Sequence, residues 1–249
     1  MKNTERFSDR ADIYAKYRPS YPAEALDYLY GTVGLRSGAA IADIGAGTGI
    51  FSALLVERGS EVFAVEPNEA MRGELIRSRG GKSGLKVVEG TAEETNLPDA
   101  SVDFVTCAQS FHWFDRDAAK REFGRILRPG GKVALIWNSR LMSGTPFLEG
   151  YEDVLRRYGT DYQVVSHKNI SESDLRPFFQ EMTVARFPYK QLLDLDGLFG
   201  RVMSSSYSPL PGHPNYEPMR EALRDLFEAT QRDGVVSFDY ETEIYWGEV

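Results

Sequence analysis

The stretch Ala42-Asp43-Ile44-Gly45-Ala46-Gly47-Thr48-Gly49-Ile50-Phe51 constrains this chain more than any other. An apolar run stops at Ile44 and a helical pattern opens after Gly49, so three glycines sit in a strand-to-helix turn. Glycine permits a tight turn there and lets a ligand approach the backbone. Free N–H groups at a helix start favour a carboxylate or phosphate. The spacing departs from the dinucleotide fingerprint G-x-G-x-x-G, because position 50 is Ile and the third glycine comes one residue early. Gly81-Lys82-Ser83 makes no P-loop, since the required glycine five residues before Gly81 is Ile76; a surface turn suffices for Gly80–Gly84.

The pattern around this loop predicts an α/β fold. Strands are expected over 39–44, 61–65, 85–88, 102–108 and 132–137, with helices over 50–58, 69–79 and 116–127 between them. Strands that read as continuous apolar runs between helices imply a parallel sheet covered on both faces. The expected architecture is a doubly wound, Rossmann-like, mostly parallel sheet. Residues 238–244 alternate instead: Phe238, Tyr240, Thr242 and Ile244 against Asp239, Glu241 and Glu243. That predicts an antiparallel C-terminal strand.

A length of 249 residues fits a single domain, 1–249. Its expected parts are a cofactor-binding core over 39–138, an N-terminal cover over 1–38, and substrate-shaping helices and final strands over 139–249. A helix is expected over 23–30, entered at Pro22. In the last part, Phe147, Tyr151, Val154, Leu155 and Tyr158 recur at helical spacing, as do Leu192, Leu195, Phe199, Val202 and Met203, and Met219, Ala222, Leu223, Leu226 and Phe227. All three stripes read as core packing. Ser204–Gly212 reads as a loop and a candidate lid hinge.

Glu66 ends the second expected strand, 21 residues beyond Gly45. That spacing lets an acid reach ribose hydroxyls, and its charge repels a 2′-phosphate; a solvated strand-end acid is the plain alternative. In an open parallel sheet, ligands bind outside the carboxyl ends of the strands. Gln109–Asp115 therefore follows the fourth strand into the reacting region. His112 there serves as a base for a hydroxyl or amine, as a donor to a carboxylate, or simply packs against Trp113. Trp113 is a loop anchor or an apolar pocket wall, and Asp115 an N-cap. Arg18, flanked by Tyr14, Tyr17 and Tyr21, offers a guanidinium fork for a carboxylate; a surface arginine before proline is the alternative. His167 and His213 sit in polar loops and receive no role.

Charge narrows the partners. With 29 Lys+Arg against 37 Asp+Glu the chain carries −8, a field that repels nucleic-acid phosphates and anionic membranes. The single cysteine, Cys107, excludes an internal disulfide, and no Cys/His cluster suggests a metal. The start, Met1-Lys2-Asn3-Thr4-Glu5-Arg6, lacks the apolar core of a signal peptide, and the apolar runs are too short to span a bilayer. The expectation is a cytoplasmic, soluble protein, monomer or homodimer, with a small-molecule substrate and neither nucleic-acid nor membrane partners.

The blocks as a set resemble class I S-adenosylmethionine-dependent methyltransferases of the type 11 group. Asp43-Ile44-Gly45-Ala46-Gly47-Thr48-Gly49 is similar to motif I. Val65-Glu66-Pro67-Asn68-Glu69-Ala70-Met71, Glu89–Pro98, Ser101–Val105 and Leu127–Lys132 follow in the family's order across residues 39–138. Tyr17–Pro22 and Ala108–Asp115 resemble the small-molecule branch of trans-aconitate methyltransferase-like proteins. The resemblance implies S-adenosylmethionine as cofactor and S-adenosylhomocysteine as product. It implies that Gly45 and Gly47 line the methionine end, that Asp43 supports the ammonium side and that Thr48 is among the cofactor-binding residues. Glu66 would take the ribose, Pro67 and Met71 flank the nucleoside, and Ala92 and Glu93 meet the adenine edge. Gln109 would lie near the sulfonium, and Tyr14, Tyr17, Arg18 and Trp113 around the substrate. Thr91 departs from the acid many members carry before the Ala92 position, which puts the adenine contact in doubt.

The reading is methyl transfer to a small metabolite, with a carboxylate among the candidate nucleophiles. The alternatives are a hydroxyl, amine or carbon nucleophile with His112 as base, a non-catalytic cofactor-binding module acting through protein partners, and a nicotinamide oxidoreductase.

Overall fold

The computed structural model describes residues 11–162 and 170–249, so His167 lies outside the described residues. A seven-stranded sheet runs through the molecule. Its strands are β1 (Ala40–Ile44), β2 (Glu61–Val65), β3 (Leu85–Val88), β4 (Val102–Ala108), β5 (Leu127–Arg140), β6 (Thr183–Leu193) and β7 (Val236–Gly247). Their order is β3-β2-β1-β4-β5-β7-β6. β1 pairs in parallel with β2 and β4, while β7 pairs antiparallel with both β5 and β6. The expected fold class is what the chain adopts, with β7 as the reversed strand.

The central strands are apolar because both of their faces are covered. Every residue of β1 is buried. One face packs Ile44, Val105, Leu135 and Trp137 against Phe123 of α5 (Arg116–Ile126) and against Phe178. The other packs Ile41, Val62 and Ile136 against Phe51 and Leu55 of α3 (Ile50–Glu57) and Leu26 of α2 (Ala23–Tyr28). Each fully buried side chain of this size contributes roughly 1.5–3 kcal/mol. A third apolar cluster joins α6 (Pro146–Tyr158), α8 (Leu195–Met203) and α9 (Tyr216–Thr230) to Phe238 and Tyr240 of β7.

Two expectations are corrected, at Leu192 and in the helix over 23–30. Leu192 belongs to β6, not to a helical stripe, and is 65% exposed. The Asp194 carboxylate accepts the Gly197 N–H and starts α8 only beyond it. β6 itself escapes sequence reading because Pro188 interrupts it; an edge strand tolerates proline, and β6 is the edge. The helix expected over 23–30 is α-helical to Tyr28 and continues as a π-helical turn to Val33. The candidate hinge at Ser204–Gly212 is pinned at its start. Ser204 and Ser205 are fully buried, and Ser208 Oγ donates to the Val202 carbonyl at 2.6 Å.

The N-terminal segment forms α1 (Ala11–Tyr17), which sequence periodicity had not revealed. Arg18 Nη2 donates to the Ser204 carbonyl, Asn138 Nδ2 to that of Ser20, and Gln191 Nε2 to that of Tyr17. These bonds tie the cover to α8, β5 and β6. Among the described residues no helix is long and apolar enough to cross a membrane.

Candidate active site

The glycine loop between β1 and α3 is built to leave space. Gly45, Gly47 and Gly49 all have positive φ, at 68°, 57° and 76°. At Gly45 a Cβ would sit 2.5 Å from Ser110 Cβ, so no larger residue fits there without displacing the end of β4. Ser110 is itself fixed, since its Oγ donates to the Ile44 carbonyl at 2.6 Å. The loop is held from behind by the Val65 carbonyl, which accepts the Gly45 and Ala46 N–H groups.

Two buried acids stand beside it. Asp43 is fully buried and accepts from Ser52 Oγ at 2.5 Å and Thr106 Oγ1 at 3.0 Å. Burial pushes its carboxyl up to about 6, against the pull of those two hydroxyls. Glu66 accepts the Gly47 N–H through one oxygen at 2.8 Å and the Asn68 N–H through the other at 2.9 Å. Burial raises it too, with the two backbone donors opposing. Arg72 Nη1 grips the Glu66 and Pro67 carbonyls, and Asn68 caps α4 (Glu69–Arg79) by accepting the Met71 N–H. The sequence alone assigns no role to Arg72 or Asn68.

A cavity of about 280 Å³ opens over these strand ends. Asp43, Gly45, Gly47, Thr48, Glu66, Pro67, Met71, Ala92, Glu93 and Gln109 all line it, together with His112, Trp113, Tyr14 and Arg18. Tyr17 does not. Its ring lies against Gly200, where a Cβ would come within 2.4 Å of it. Thr48 Oγ1 is buried without a hydrogen-bond partner. An unpaired buried hydroxyl is costly, and a polar ligand atom in the cavity would satisfy it.

At the adenine-side turn, Thr91 Oγ1 accepts the N–H groups of Glu93 and Glu94. The departure from an acid at this position thus serves the turn itself. Glu93 Oε1 accepts the Asp115 N–H at 2.9 Å, and Asp115 caps α5 by accepting from Ala118, as expected.

Gln109 has φ 61°, a left-handed conformation that costs a non-glycine residue of order 1 kcal/mol. It turns the chain sharply out of β4 into a short 3₁₀ turn, Phe111–Trp113. Phe111, fully buried, anchors that turn edge-on to Phe114, Trp137 and Phe178. The anchoring leaves His112 facing the cavity with its ring centroid 4.6 Å from that of Trp113.

The far wall comes from residues the sequence left without a motif: Asn138, Arg140, Tyr162, Arg201, Ser206 and Tyr207. Arg140 Nη2 pairs with Glu152 at 2.5 Å and its guanidinium covers the Tyr151 ring. Arg201 Nε donates to Tyr240 Oη and its Nη1 to Ser205 Oγ. Burial opposes the Arg201 charge, yet the oxygens of Tyr240, Tyr151 and Tyr207 hold it above its usual range. A charged residue inside the apolar stripe Leu195-Leu198-Val202 was the available signal for Arg201.

Known proteins are similar to this chain. A methyltransferase domain model of the type 11 group matches residues 42–135. A methyltransferase-like protein of Schizosaccharomyces pombe is 31% identical over 203 residues, covering 80% of this chain and 77% of the relative. An uncharacterized methyltransferase of Mycobacterium tuberculosis is 43% identical over 134 residues, 54% of this chain and 52% of the relative. The chain spans about half the length of the curated mycobacterial relatives it matches. A solved structure of a candidate type II methyltransferase from Anaeromyxobacter dehalogenans superposes with TM-score 0.65, at 23% identity, over 93% of this chain and 98% of that one.

Proposed function

The chain belongs to the class I methyltransferases of the type 11 group, and on that premise we propose that it transfers a methyl group from S-adenosylmethionine to a small molecule in this cavity. One observation carries the reading: the glycine loop and Glu66 line the same cavity as His112 and Arg18. Cofactor and acceptor can therefore meet inside it. The residues fit the cofactor, because Gly45, Gly47 and Gly49 hold the loop in a left-handed backbone that disfavours side chains and Thr48 Oγ1 is buried with no hydrogen-bond partner among the described residues.

Gly45, Gly47 and Thr48 would line the methionine end, with Asp43 behind them toward the ammonium. Glu66 would accept the ribose hydroxyls with the lone pairs its backbone partners leave free. Pro67 and Met71 would flank the nucleoside, and Ala92 and Glu93 would meet the adenine edge. Gln109 would lie by the sulfonium. Bound there, the cofactor would supply a methyl group activated by its sulfonium, which the acceptor's lone pair would take, leaving S-adenosylhomocysteine as a neutral thioether. The protein's own work is alignment and exclusion of water.

Arg18 and Tyr14 would hold the acceptor, with Trp113 as an apolar wall. An ionised carboxylate needs no base, and His112 then acts as a donor that orients it. With a hydroxyl or amine acceptor, His112 would take the proton that leaves. Calorimetry distinguishes this reading from a nicotinamide oxidoreductase. S-adenosylhomocysteine is expected to bind and NAD not; binding of NAD alone overturns the proposal.

A further inference from the structure

Resting on the methyltransferase reading above, we propose that Arg18 and Arg201 form a two-guanidinium oxyanion subsite, and that the methyl acceptor is a small dianion. The two residues are 183 positions apart in sequence, one just after α1 and one on α8, yet they line the same cavity. Arg18 is half-buried with its Nε enclosed, and Arg201 is buried at 6% exposure. Among the described residues no carboxylate lies within ion-pair distance of either, whereas the neighbouring Arg140 has Glu152 at 2.5 Å. Among the described residues Arg18 Nε is buried with no hydrogen-bond partner, and Arg18 Nη2 donates to the Ser204 carbonyl. Arg201 spends Nε and Nη1 on Tyr240 and Ser205 and makes no bond through Nη2.

Two uncompensated guanidinium groups in one buried cavity cost the ligand-free protein stability. Burial, and then the like charge of Arg201, both press the Arg18 guanidinium toward losing its proton. Asp43, Glu66 and Glu93 line the same cavity, but none of them lies within ion-pair distance of Arg18 or Arg201, in a chain that carries −8 overall. Charge balance at this pair of guanidinium groups takes two negative charges. A single carboxylate leaves one cation unmatched; a dicarboxylate or a phosphate monoester matches both. Each guanidinium offers the planar fork that pairs bidentately with such an oxyanion. Tyr14 stacks on Arg18, with the guanidinium 4.6 Å from its ring centroid, and keeps that fork in plane.

The test is calorimetric titration of the full chain, first with S-adenosylhomocysteine and then, at saturation, with succinate, glutarate, glycerol 3-phosphate, propionate and succinamide. A dianion is expected to bind at least tenfold more tightly than propionate, with no binding of succinamide. The better of dicarboxylate and phosphate identifies the source of the charge. Arg18→Gln and Arg201→Gln are each expected to lower dianion affinity at least tenfold while S-adenosylhomocysteine affinity stays within twofold. Arg201→Lys, which keeps the charge and loses the fork, is expected to fall between. The ranking of the five probes on the unmodified chain decides the matter even if Arg201→Gln fails to fold. No dianion binding, equal binding of propionate or succinamide, or an Arg201→Gln protein with unaltered dianion affinity overturns the subsite. Dianion binding without S-adenosylhomocysteine binding overturns the methyltransferase reading and leaves the subsite standing.

Discussion

Glu66 Oε2 accepts the Gly47 N–H at 2.8 Å, so the acid that ends β2 holds the glycine loop that follows β1. Its other oxygen fixes Asn68 at the start of α4. The carboxylate is therefore both a loop clamp and, in the proposed function, the ribose acceptor. Glu66→Ala is expected to weaken S-adenosylhomocysteine binding by about 1–3 kcal/mol. The loss should shrink for an analogue lacking the 2′- and 3′-hydroxyls. Calorimetry on both ligands checks this, and an equal loss for both would assign Glu66 to loop positioning alone.

Gly45→Ala places a Cβ 2.5 Å from Ser110 Cβ in a backbone at φ 68°. Neither the strand end nor the loop can move freely, because Ser110 Oγ is bonded to Ile44 and the Gly45 N–H to Val65. The expected outcome is a loss of about 1–3 kcal/mol of stability and an S-adenosylhomocysteine affinity too weak to measure. Urea denaturation with calorimetry tests it; a variant with unchanged melting and binding would contradict the cradle.

Asp43 predicts a pH dependence with a definite sign. Burial raises its carboxyl from 3.8 to about 6 in the folded state. A raised acid contributes stability that is fully present below the unfolded value and is lost as pH rises through the folded one. Over that window the cofactor-free protein should lose about 3 kcal/mol relative to Asp43→Asn, a figure of order of magnitude only. Urea midpoints of both proteins between pH 4 and pH 7.5 measure it. Parallel curves for the two proteins would refute the assignment.

His112 is expected to act as a binding group. His112→Asn should raise the KM for a carboxylate acceptor several-fold and change kcat little. A fall in kcat beyond about 10²-fold would instead make His112 the general base.

The legible part of this molecule is the part whose signals are local. The strand-to-helix glycine turn, the continuous apolar strands and the acid at Glu66 are each readable from a few neighbouring residues, and the cavity gathers all of the residues assigned to the cofactor. The far wall was illegible because its chemistry arises only on packing. Arg201 and Arg140 look like surface charges on α8 and β5 until the third apolar cluster buries them. β6 depends on pairing with β7, and Pro188 masks it locally. Tyr17 shares a segment with Arg18, yet its direction along α1 sends the ring to Gly200, outside the cavity.

The central claim is methyl transfer within one cavity, and it is measured most directly by incubating the protein with S-adenosylmethionine bearing a labelled methyl group. Succinate, glutarate, glycerol 3-phosphate, a phenol and an amine serve as acceptors. The account predicts S-adenosylhomocysteine released in equal amount to a labelled small-molecule product. It predicts further that an acid acceptor supports this best and that Glu66→Ala or Arg18→Gln abolishes most of it. Bound S-adenosylmethionine that persists with no labelled product from any acceptor class would contradict it.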